Sequence, residues 1–255
     1  MIDVTDTGST RVITFDRPEA RNAFNVAMYR ATTEALAAAS RDDGVRAVVL
    51  TGRPPAFTSG QDLREMAEIA TGTAPAGVEQ GFGGLLDALA DFDKPLLAAV
   101  NGVGVGLGFT ILGHCDLVLI DRAARLRVPF GELGVPPEAG SSYLFPARMG
   151  RQQAARVLLV SEWVSATEAV DLGMAIRVCP EGAVLDETLA LAVRIGSFPP
   201  EAVREIKRLT GVTEREAVRA ARAREDEAFT RLLGSAANRE ALDRFNSAGR
   251  PAHGV

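Results

Sequence analysis

Hydrophobic positions in the first half of the chain either alternate or cluster in short runs, and both patterns predict strands. Arg11–Phe15 alternates and is rich in β-forming residues, so with Ile2–Thr5 it predicts a hairpin that turns near Gly8. Val45–Thr51 and Pro95–Val100 are short, mainly apolar runs and predict buried strands. Further short apolar runs predict strands at Leu117–Ile120 and Leu126–Val128.

Between these runs, apolar residues recur at helical spacing. Val26–Ser40 predicts a helix with Asn25 as its N-cap, and Asp62–Ile69 and Gln80–Asp91 predict two more. Thr71–Gly77 consists of small and helix-breaking residues and predicts a mobile loop. The alternation of strands and helices therefore predicts an α/β fold with much parallel pairing.

The C-terminal part of the chain has a different pattern, mostly helical after Ala139 apart from Ile176–Val178. Glu201–Phe245 is rich in Arg, Glu and Ala, and only Gly211 and Gly234 interrupt it, which predicts two or three amphipathic helices. We therefore divide the chain into an α/β core at 1–195 and a C-terminal helical region at 196–255. This region fits a solvated helical cap and an oligomerisation arm equally well.

Composition excludes several classes of function. The 255 residues are 47% hydrophobic and 24% charged, which is ordinary for a globular protein with a sizeable core. A net charge of −5 gives no global attraction for nucleic acid or anionic membranes, so we expect neither as a partner. Two cysteines and two histidines are too few for a disulfide framework or a Cys/His metal cluster. With no secretory or membrane-spanning pattern, these features predict a cytoplasmic protein without a metal.

Two strand-to-helix turns offer backbone N–H groups for an anion. The glycines of Asn101–Gly108 fall at every second position, so the segment matches neither the dinucleotide fingerprint nor the phosphate-binding P-loop. A helix that begins near Leu107 presents unpaired N–H groups, and so does the turn at Gly60. Two such donors directed at one carbonyl oxygen form an oxyanion hole. The alternatives are a tight crossover at the glycine run and an ordinary N-cap role for Asp62.

Three segments carry a resemblance to a known family. Phe57–Leu63 is similar to the F-x-x-G-x-D-[LI] segment of the enoyl-CoA hydratase/isomerase (crotonase) superfamily. Lys94–Asp116 resembles its second signature, which runs from a Lys-Pro start through a glycine run to Cys-Asp. Arg17–Phe24 resembles its CoA-contacting segment. The segments occur in the family's order and spacing, and the likeness extends over nearly the whole chain.

The resemblance implies a spiral of ββα turns, a C-terminal region that builds trimers or dimers of trimers, and an acyl-CoA thioester as substrate. Coenzyme A is then part of the substrate, and no separate cofactor is expected. The family's oxyanion-hole amides correspond to the N–H groups of Gln61 and Leu107, although the family usually has glycine at the second position. The implied substrate and CoA contacts are Arg21, Ala23, Phe24, Ser59, Gly60, Asp62, Gly106 and Phe130, with Lys207 and Arg53 as further cations for the phosphates.

The acid–base residues depart from the pattern of the family's hydratases. Those enzymes hold a water molecule between two glutamates, whose positions here are Thr110 and Phe130. A carboxylate occurs instead at Glu138, and Val128–Pro146 resembles the peroxisomal-type Δ3,Δ2-enoyl-CoA isomerases. In those isomerases the Glu of P-E-x-x-S-S is the sole acid–base residue, and we carry that role onto Glu138. Two alternatives remain: Glu138 as a helix N-terminal carboxylate, and Glu132 as the base.

A single carboxyl group suits isomerisation better than hydration. It can remove a proton from C2 of a 3-enoyl thioester and return it to C4, while the two amides hold the dienolate. Burial is expected to raise the pKa of Glu138 above its reference value of ~4.3. The sequence therefore predicts a Δ3,Δ2-enoyl-CoA isomerase of fatty-acid oxidation. The alternatives are an enoyl-CoA hydratase and a non-catalytic acyl-CoA-binding homologue.

Overall fold

The computed structural model describes residues 1–74 and 79–248, and their strands form two sheets. In the six-stranded sheet the order is β1-β2-β3-β5-β7-β10, and in the four-stranded sheet it is β4-β6-β8-β9. The strands are β1 (Ile2–Thr7), β2 (Thr10–Phe15), β3 (Ala47–Gly52), β4 (Ala56–Thr58), β5 (Leu96–Val100), β6 (Val103–Val105), β7 (Leu117–Asp121), β8 (Arg125–Arg127), β9 (Val164–Ser165) and β10 (Arg177–Cys179).

The sheets combine the predicted antiparallel hairpin, and a second antiparallel pair at β8–β9, with the predicted parallel pairing. β1 and β2 are antiparallel, with Ile2 opposite Phe15. The pairs β2–β3, β3–β5, β5–β7 and β7–β10 are parallel, and so are β4–β6 and β6–β8. Strand β3 begins at Ala47, two residues later than predicted. This α/β arrangement confirms the predicted fold class.

Both faces of the central strands are covered. Along β3, Val48 and Leu50 face the main hydrophobic core, whereas Val49 faces a second core beneath a helix at Val184–Gly196. A parallel strand buried on both faces is apolar throughout, which explains the unbroken apolar runs in the sequence.

The helices match the predicted periodic segments closely. Helix α1 begins after Asn25, whose side chain accepts a hydrogen bond of 2.9 Å from the Met28 N–H, so the predicted N-cap is confirmed. The helices are α1 (Val26–Arg41), α2 (Leu63–Thr71), α3 (Glu79–Asp91), α4 (Leu107–Thr110), α5 (Phe130–Leu133), α6 (Ser141–Met149), α7 (Arg151–Ala155), α8 (Ala166–Asp171), α9 (Val184–Gly196), α10 (Pro200–Leu232) and α11 (Ala236–Ala248).

The described part of the C-terminal region, up to residue 248, forms two helices that lie against the core. Helix α10 continues through Gly211, because one helical glycine costs only about 1 kcal/mol among so many strong helix formers. Gly234, with φ at +73°, makes the turn into α11. Leu242 of α11 is buried in the main core. The role of this region in oligomerisation stays a prediction.

Part of the predicted loop at Thr71–Gly77 lies outside the described residues, which resume at 79. Thr71 is the last residue of α2 rather than part of a loop, and Gly72 caps that helix in the left-handed conformation, with φ at +71°. Across residues 1–74 and 79–248, no helix combines the length and the apolar character needed to cross a bilayer.

Candidate active site

Two strand-to-helix turns meet at Gly60. This residue lies between β4 and α2 with φ at +85°. A Cβ atom at Gly60 would lie 2.4 Å from the Val105 carbonyl oxygen and 3.3 Å from the Leu107 nitrogen. Only glycine permits this approach, which brings the Gly60 turn into contact with the end of β6 and the start of α4.

Each of these turns presents a backbone N–H group at the contact. In a short bridge, the Gly60 carbonyl accepts from the Phe24 N–H at 2.7 Å, and the Asp62 N–H donates to the Phe24 carbonyl at 2.9 Å. The Gln61 N–H, between them, takes no part in this bridge. Leu107 is the first residue of α4, where N–H groups have no intrahelical acceptor. Two N–H groups on adjoining turns are the components of an oxyanion hole.

Glu138 lies at the start of an unusual turn that leads into α6. Ala139 and Gly140 are both left-handed, with φ at +59° and +74°, and the Ser141 N–H donates to the Glu138 carbonyl at 3.0 Å. Two side chains from distant parts of the chain bind this turn. His114 Nε2 lies 2.8 Å from the Ala139 carbonyl oxygen, and the Glu225 carboxylate accepts from the Gly140 N–H at 2.7 Å.

The environment of Glu138 raises the pKa of its carboxyl group. The residue as a whole is partly exposed, but protein atoms surround its carboxyl group. This desolvation, with a smaller contribution from the negative charge of Glu225, raises the pKa of Glu138 to about 8. Perturbed carboxyl groups of this kind concentrate at catalytic sites.

Tyr29 lies near both Glu138 and the Gly60 turn. Its hydroxyl donates to the side-chain oxygen of Gln61. Burial raises the pKa of Tyr29 well above its ordinary value, and the negative charge of Glu138 raises it further. Glu138 is therefore close enough to interact electrostatically with the Tyr29 hydroxyl, which is hydrogen-bonded to the Gln61 side chain.

The two positions of the hydratase glutamates are buried and carry no carboxyl group. Thr110 is fully buried in α4, and its hydroxyl has no hydrogen-bond partner among the described residues. Phe130 is buried at the start of α5. Glu132, the alternative base, is exposed and bonded to Arg127, so its carboxylate has a partner away from the turn.

The segment that resembles a CoA contact folds around a buried asparagine. Asn22 is left-handed, with φ at +59°, and its side chain donates to the carbonyl oxygens of Arg53, Ala56 and Phe57. Arg21 is exposed on this loop. Sequence analysis missed Asn22, although asparagine tolerates the left-handed conformation better than most residues, which is a signal for such a turn.

Several predicted substrate contacts have structural partners. Ser59 donates its N–H to the Arg21 carbonyl at 3.0 Å. The Asp62 carboxylate caps α2 and binds Arg17 at 2.7 Å. Ala23 and Phe24 are buried, with the Phe24 ring packed on Phe15 and Tyr29. Gly106 is partly exposed and has a positive φ of +55° at the N-cap of α4. Their contacts with a substrate stay predictions.

The two further candidate cations are both bound to acidic residues. Lys207 of α10 bonds to the Lys94 carbonyl and the Asp116 carboxylate, each at 2.8 Å, which ties the C-terminal region to the core. Arg53 pairs with Asp16 at 2.8 Å. The charges of Lys207 and Arg53 are thus each paired within the protein, without a phosphate.

Comparisons with known proteins agree with this geometry. Residues 6–254 match the family described as enoyl-CoA hydratase/isomerase. Human enoyl-CoA delta isomerase 2 is 34% identical over 88% of this chain and 57% of its own length. The chain thus spans little more than half of that relative and of its rat counterpart, which is covered to 56%. The 2,3-dehydroadipyl-CoA hydratase of Escherichia coli strain K12 is 32% identical over 92% of this chain and 91% of its own.

Solved structures give the same result. The structure of OdaA from Pseudomonas aeruginosa superimposes with a TM-score of 0.90 and 37% identity, over 96% of this chain and 98% of its own. An enoyl-CoA hydratase/isomerase from Pseudoalteromonas atlantica T6c gives a TM-score of 0.89 at 32% identity, over 99% of each chain. The chain therefore belongs to the enoyl-CoA hydratase/isomerase (crotonase) family.

Proposed function

We propose that this protein is a Δ3,Δ2-enoyl-CoA isomerase of fatty-acid oxidation in which Glu138 is the acid–base residue. Its carboxylate removes a proton from C2 of a 3-enoyl thioester, and the C3–C4 double bond moves to C2–C3 as the same proton is delivered to C4. The intervening dienolate carries its charge on the thioester oxygen, which accepts from the N–H groups of Gln61 and Leu107. The observation that carries the proposal is that Glu138 lies on the turn before α6, while the buried hydratase positions hold Thr110 and Phe130; the raised pKa of Glu138 supports it.

That raised pKa suits both halves of the reaction. A carboxylate with a pKa near 8 is a stronger base than an ordinary one, and its conjugate acid still returns the proton readily. The two amides stabilise the charge that develops between these steps, and one such donor is typically worth ~2.7–4 kcal/mol. The family's catalytic strategy is thus retained with one proton carrier.

Hydration has less support from the residues present, although some relatives are named as hydratases. Addition of water requires one group to activate the water and another to protonate the α-carbon. Thr110 and Phe130, at the positions of the hydratase glutamates, supply neither carboxyl group. A purely acyl-CoA-binding homologue has less support too, because a desolvated carboxyl group costs stability and has no use in such a protein.

The test is a comparison of two substrates. We expect the enzyme to convert 3-hexenoyl-CoA to 2-hexenoyl-CoA with a high kcat/KM and to hydrate crotonyl-CoA at least about a hundredfold more slowly, which corresponds to roughly 2.7 kcal/mol of discrimination. Rapid hydration without isomerisation would refute the proposed activity, and binding without either reaction would indicate a scaffold.

We further propose that the chain works in the cytoplasm as a homotrimer or a dimer of trimers. Ile206, Leu209 and Val212 leave apolar surface exposed on α10, which supports burial against another copy. Cys115 and Cys179 are free thiols, which suits a reducing compartment. Light scattering of the purified chain measures the assembly, and a monomer at micromolar concentration would contradict it.

A further inference from the structure

The turn that carries Glu138 needs external support. Ala139 is a non-glycine residue at φ +59°, a conformation that persists only where its surroundings enforce it. Gly140, next to it, lies directly against α10, because a Cβ atom there would come within 2.9 Å of the Val218 side chain. Helix α10 therefore packs directly against this turn.

One carboxylate on α10 binds the turn at two points. Glu225 is 5% exposed, and its oxygens accept from the Gly140 N–H at 2.7 Å and from the Ser142 N–H at 2.8 Å. These N–H groups belong to the start of α6, where the helix dipole favours a negative charge. The two hydrogen bonds and the dipole together offset the cost of burying a charged group.

His114 binds the same turn from the opposite side. Burial lowers the pKa of His114 to about 4, so the ring is neutral at physiological pH. Its Nε2 atom faces the Ala139 carbonyl oxygen at 2.8 Å, and a carbonyl only accepts, so we assign the proton to Nε2. His114 thus binds the Ala139 carbonyl, and Glu225 binds the N–H of the next residue, Gly140.

We propose that Glu225 is a positioning residue for the isomerase reaction: from α10 it holds the turn at Ala139 and Gly140, and thereby directs the Glu138 carboxyl group toward the oxyanion-hole amides. The proposal rests on the function proposed above. It gives the C-terminal helix a part in the chemistry that is separate from any role in assembly. Loss of this support is expected to affect kcat more than KM, because the substrate contacts lie on other turns.

The charge of Glu225 has a second consequence. Burial is the larger cause of the raised pKa of Glu138, and the negative charge of Glu225 adds to it. Removal of that charge should therefore lower the pKa of Glu138. Other titratable or charged groups near the turn are Tyr29 of α1, itself near Glu65 and Asp62, and His114. Three cations face His114 and are each paired with an acidic residue: Arg148 with Glu214, Arg222 with Asp87, and Lys207 with Asp116.

The first variant is Glu225→Gln in the full chain, with Glu227→Gln as its control. Glu227 lies on the same helix but is exposed and pairs with Arg231. Glutamine keeps one acceptor oxygen but sets an NH2 group against the second backbone N–H. We expect kcat for 3-hexenoyl-CoA to fall between about 10- and 100-fold with little change in KM. The midpoint of the kcat/KM pH profile should also move to lower pH, and the control should match the wild type.

A second readout does not depend on activity. Titration of ¹³C-labelled glutamate carboxyl groups by NMR, with Glu138→Gln to assign the signal, measures the pKa of Glu138 directly. We expect a lower midpoint in Glu225→Gln than in the wild type. If the wild type fails to isomerise 3-enoyl-CoA, the proposed function is wrong, whereas this titration still tests whether Glu225 acts on Glu138.

Glu225→Asp separates position from charge. It keeps the carboxylate but is one methylene shorter, so we expect a fall in kcat with a much smaller change in the Glu138 midpoint. If Glu225→Gln does not fold, this variant decides the question through its kcat and KM. Wild-type kcat in a folded Glu225→Asp protein, or an unchanged kcat and midpoint in Glu225→Gln, would overturn the positioning role.

Discussion

At the scale of the residue, the proposed chemistry depends on one carboxyl group that protein atoms keep partly from water. The sequence predicts this group, because a glutamate stands in a known isomerase pattern while the hydratase positions hold Thr110 and Phe130. The expected direction of its pKa shift agrees with the structure. Glu225 and Asn22 were not predicted, because each acts through backbone groups that are distant in sequence and carry no local motif.

The raised pKa of Glu138 predicts a pH-dependent effect on stability. Between pH 4.5 and 8 the unfolded chain loses this proton while the folded protein keeps it, so the wild type loses stability as pH rises through that window. Glu138→Gln removes this penalty. The free energy of unfolding of this variant, relative to the wild type, should therefore increase by on the order of 2 kcal/mol between pH 5 and pH 8.5. This is less than the full pKa shift would give, because Glu138 is partly accessible to water.

Urea unfolding at those two pH values measures the difference. Glu132→Gln is the matched control, because Glu132 is exposed and its stability effect should not vary with pH in this way. If the stability difference between Glu138→Gln and the wild type is the same at both pH values, burial does not raise the pKa of the Glu138 carboxyl group.

A backbone donor can be removed at Leu107 without breaking the helix. Proline is favoured at the first position of a helix, and Leu107 occupies that position in α4. We expect Leu107→Pro to lower kcat by about 10²–10³ relative to Leu107→Ala, which loses the same buried side chain but keeps the N–H. Steady-state kinetics on both folded variants measure the ratio, and equal rates would exclude this N–H from the oxyanion hole.

At the scale of the element, the periodic segments were predicted well and the helix ends less so. Helix α1 begins where Asn25 caps it, because the cap is a local interaction that the sequence contains. Sequence analysis gave Gly211 and Gly234 the same role as interruptions, yet only Gly234 ends a helix. The difference lies in tertiary packing, since a Cβ atom at Gly234 would lie 2.7 Å from the Ala70 carbonyl oxygen and one at Gly211 would contact nothing within 4 Å.

These two glycines therefore predict opposite effects of the same substitution. Gly211→Ala should stabilise the protein by about 0.5–1 kcal/mol, because alanine is the better helix former and has room there. Gly234→Ala should destabilise it by about 1–3 kcal/mol, through strain at positive φ and displacement of α11 from α2. Chemical denaturation measures both, and effects of the same sign would contradict the packing described for α11.

At the scale of the whole molecule, the order of the motifs was enough to predict the fold class and the family. The meeting of the Gly60 and Leu107 turns was also expected, because both follow parallel strands and offer N–H groups at their ends. The contact of α10 with the turn at Ala139 and Gly140 was not expected, since it joins residues 85 positions apart and depends on how the C-terminal region folds back on the core. Local patterns contain no information on such a contact.

The most direct measurement of the central claim is the rate of 3-hexenoyl-CoA isomerisation by Glu138→Gln and by Glu132→Gln. Glu138→Gln keeps the shape of the side chain but cannot accept the C2 proton. The account predicts that this variant loses at least about 10³-fold in kcat, which lies within the range of about 10²–10⁴ that a general base typically contributes. Glu132→Gln should keep the wild-type rate, because its carboxylate is bound to Arg127 on the surface. A wild-type rate in folded Glu138→Gln, or the larger loss in Glu132→Gln, would contradict it.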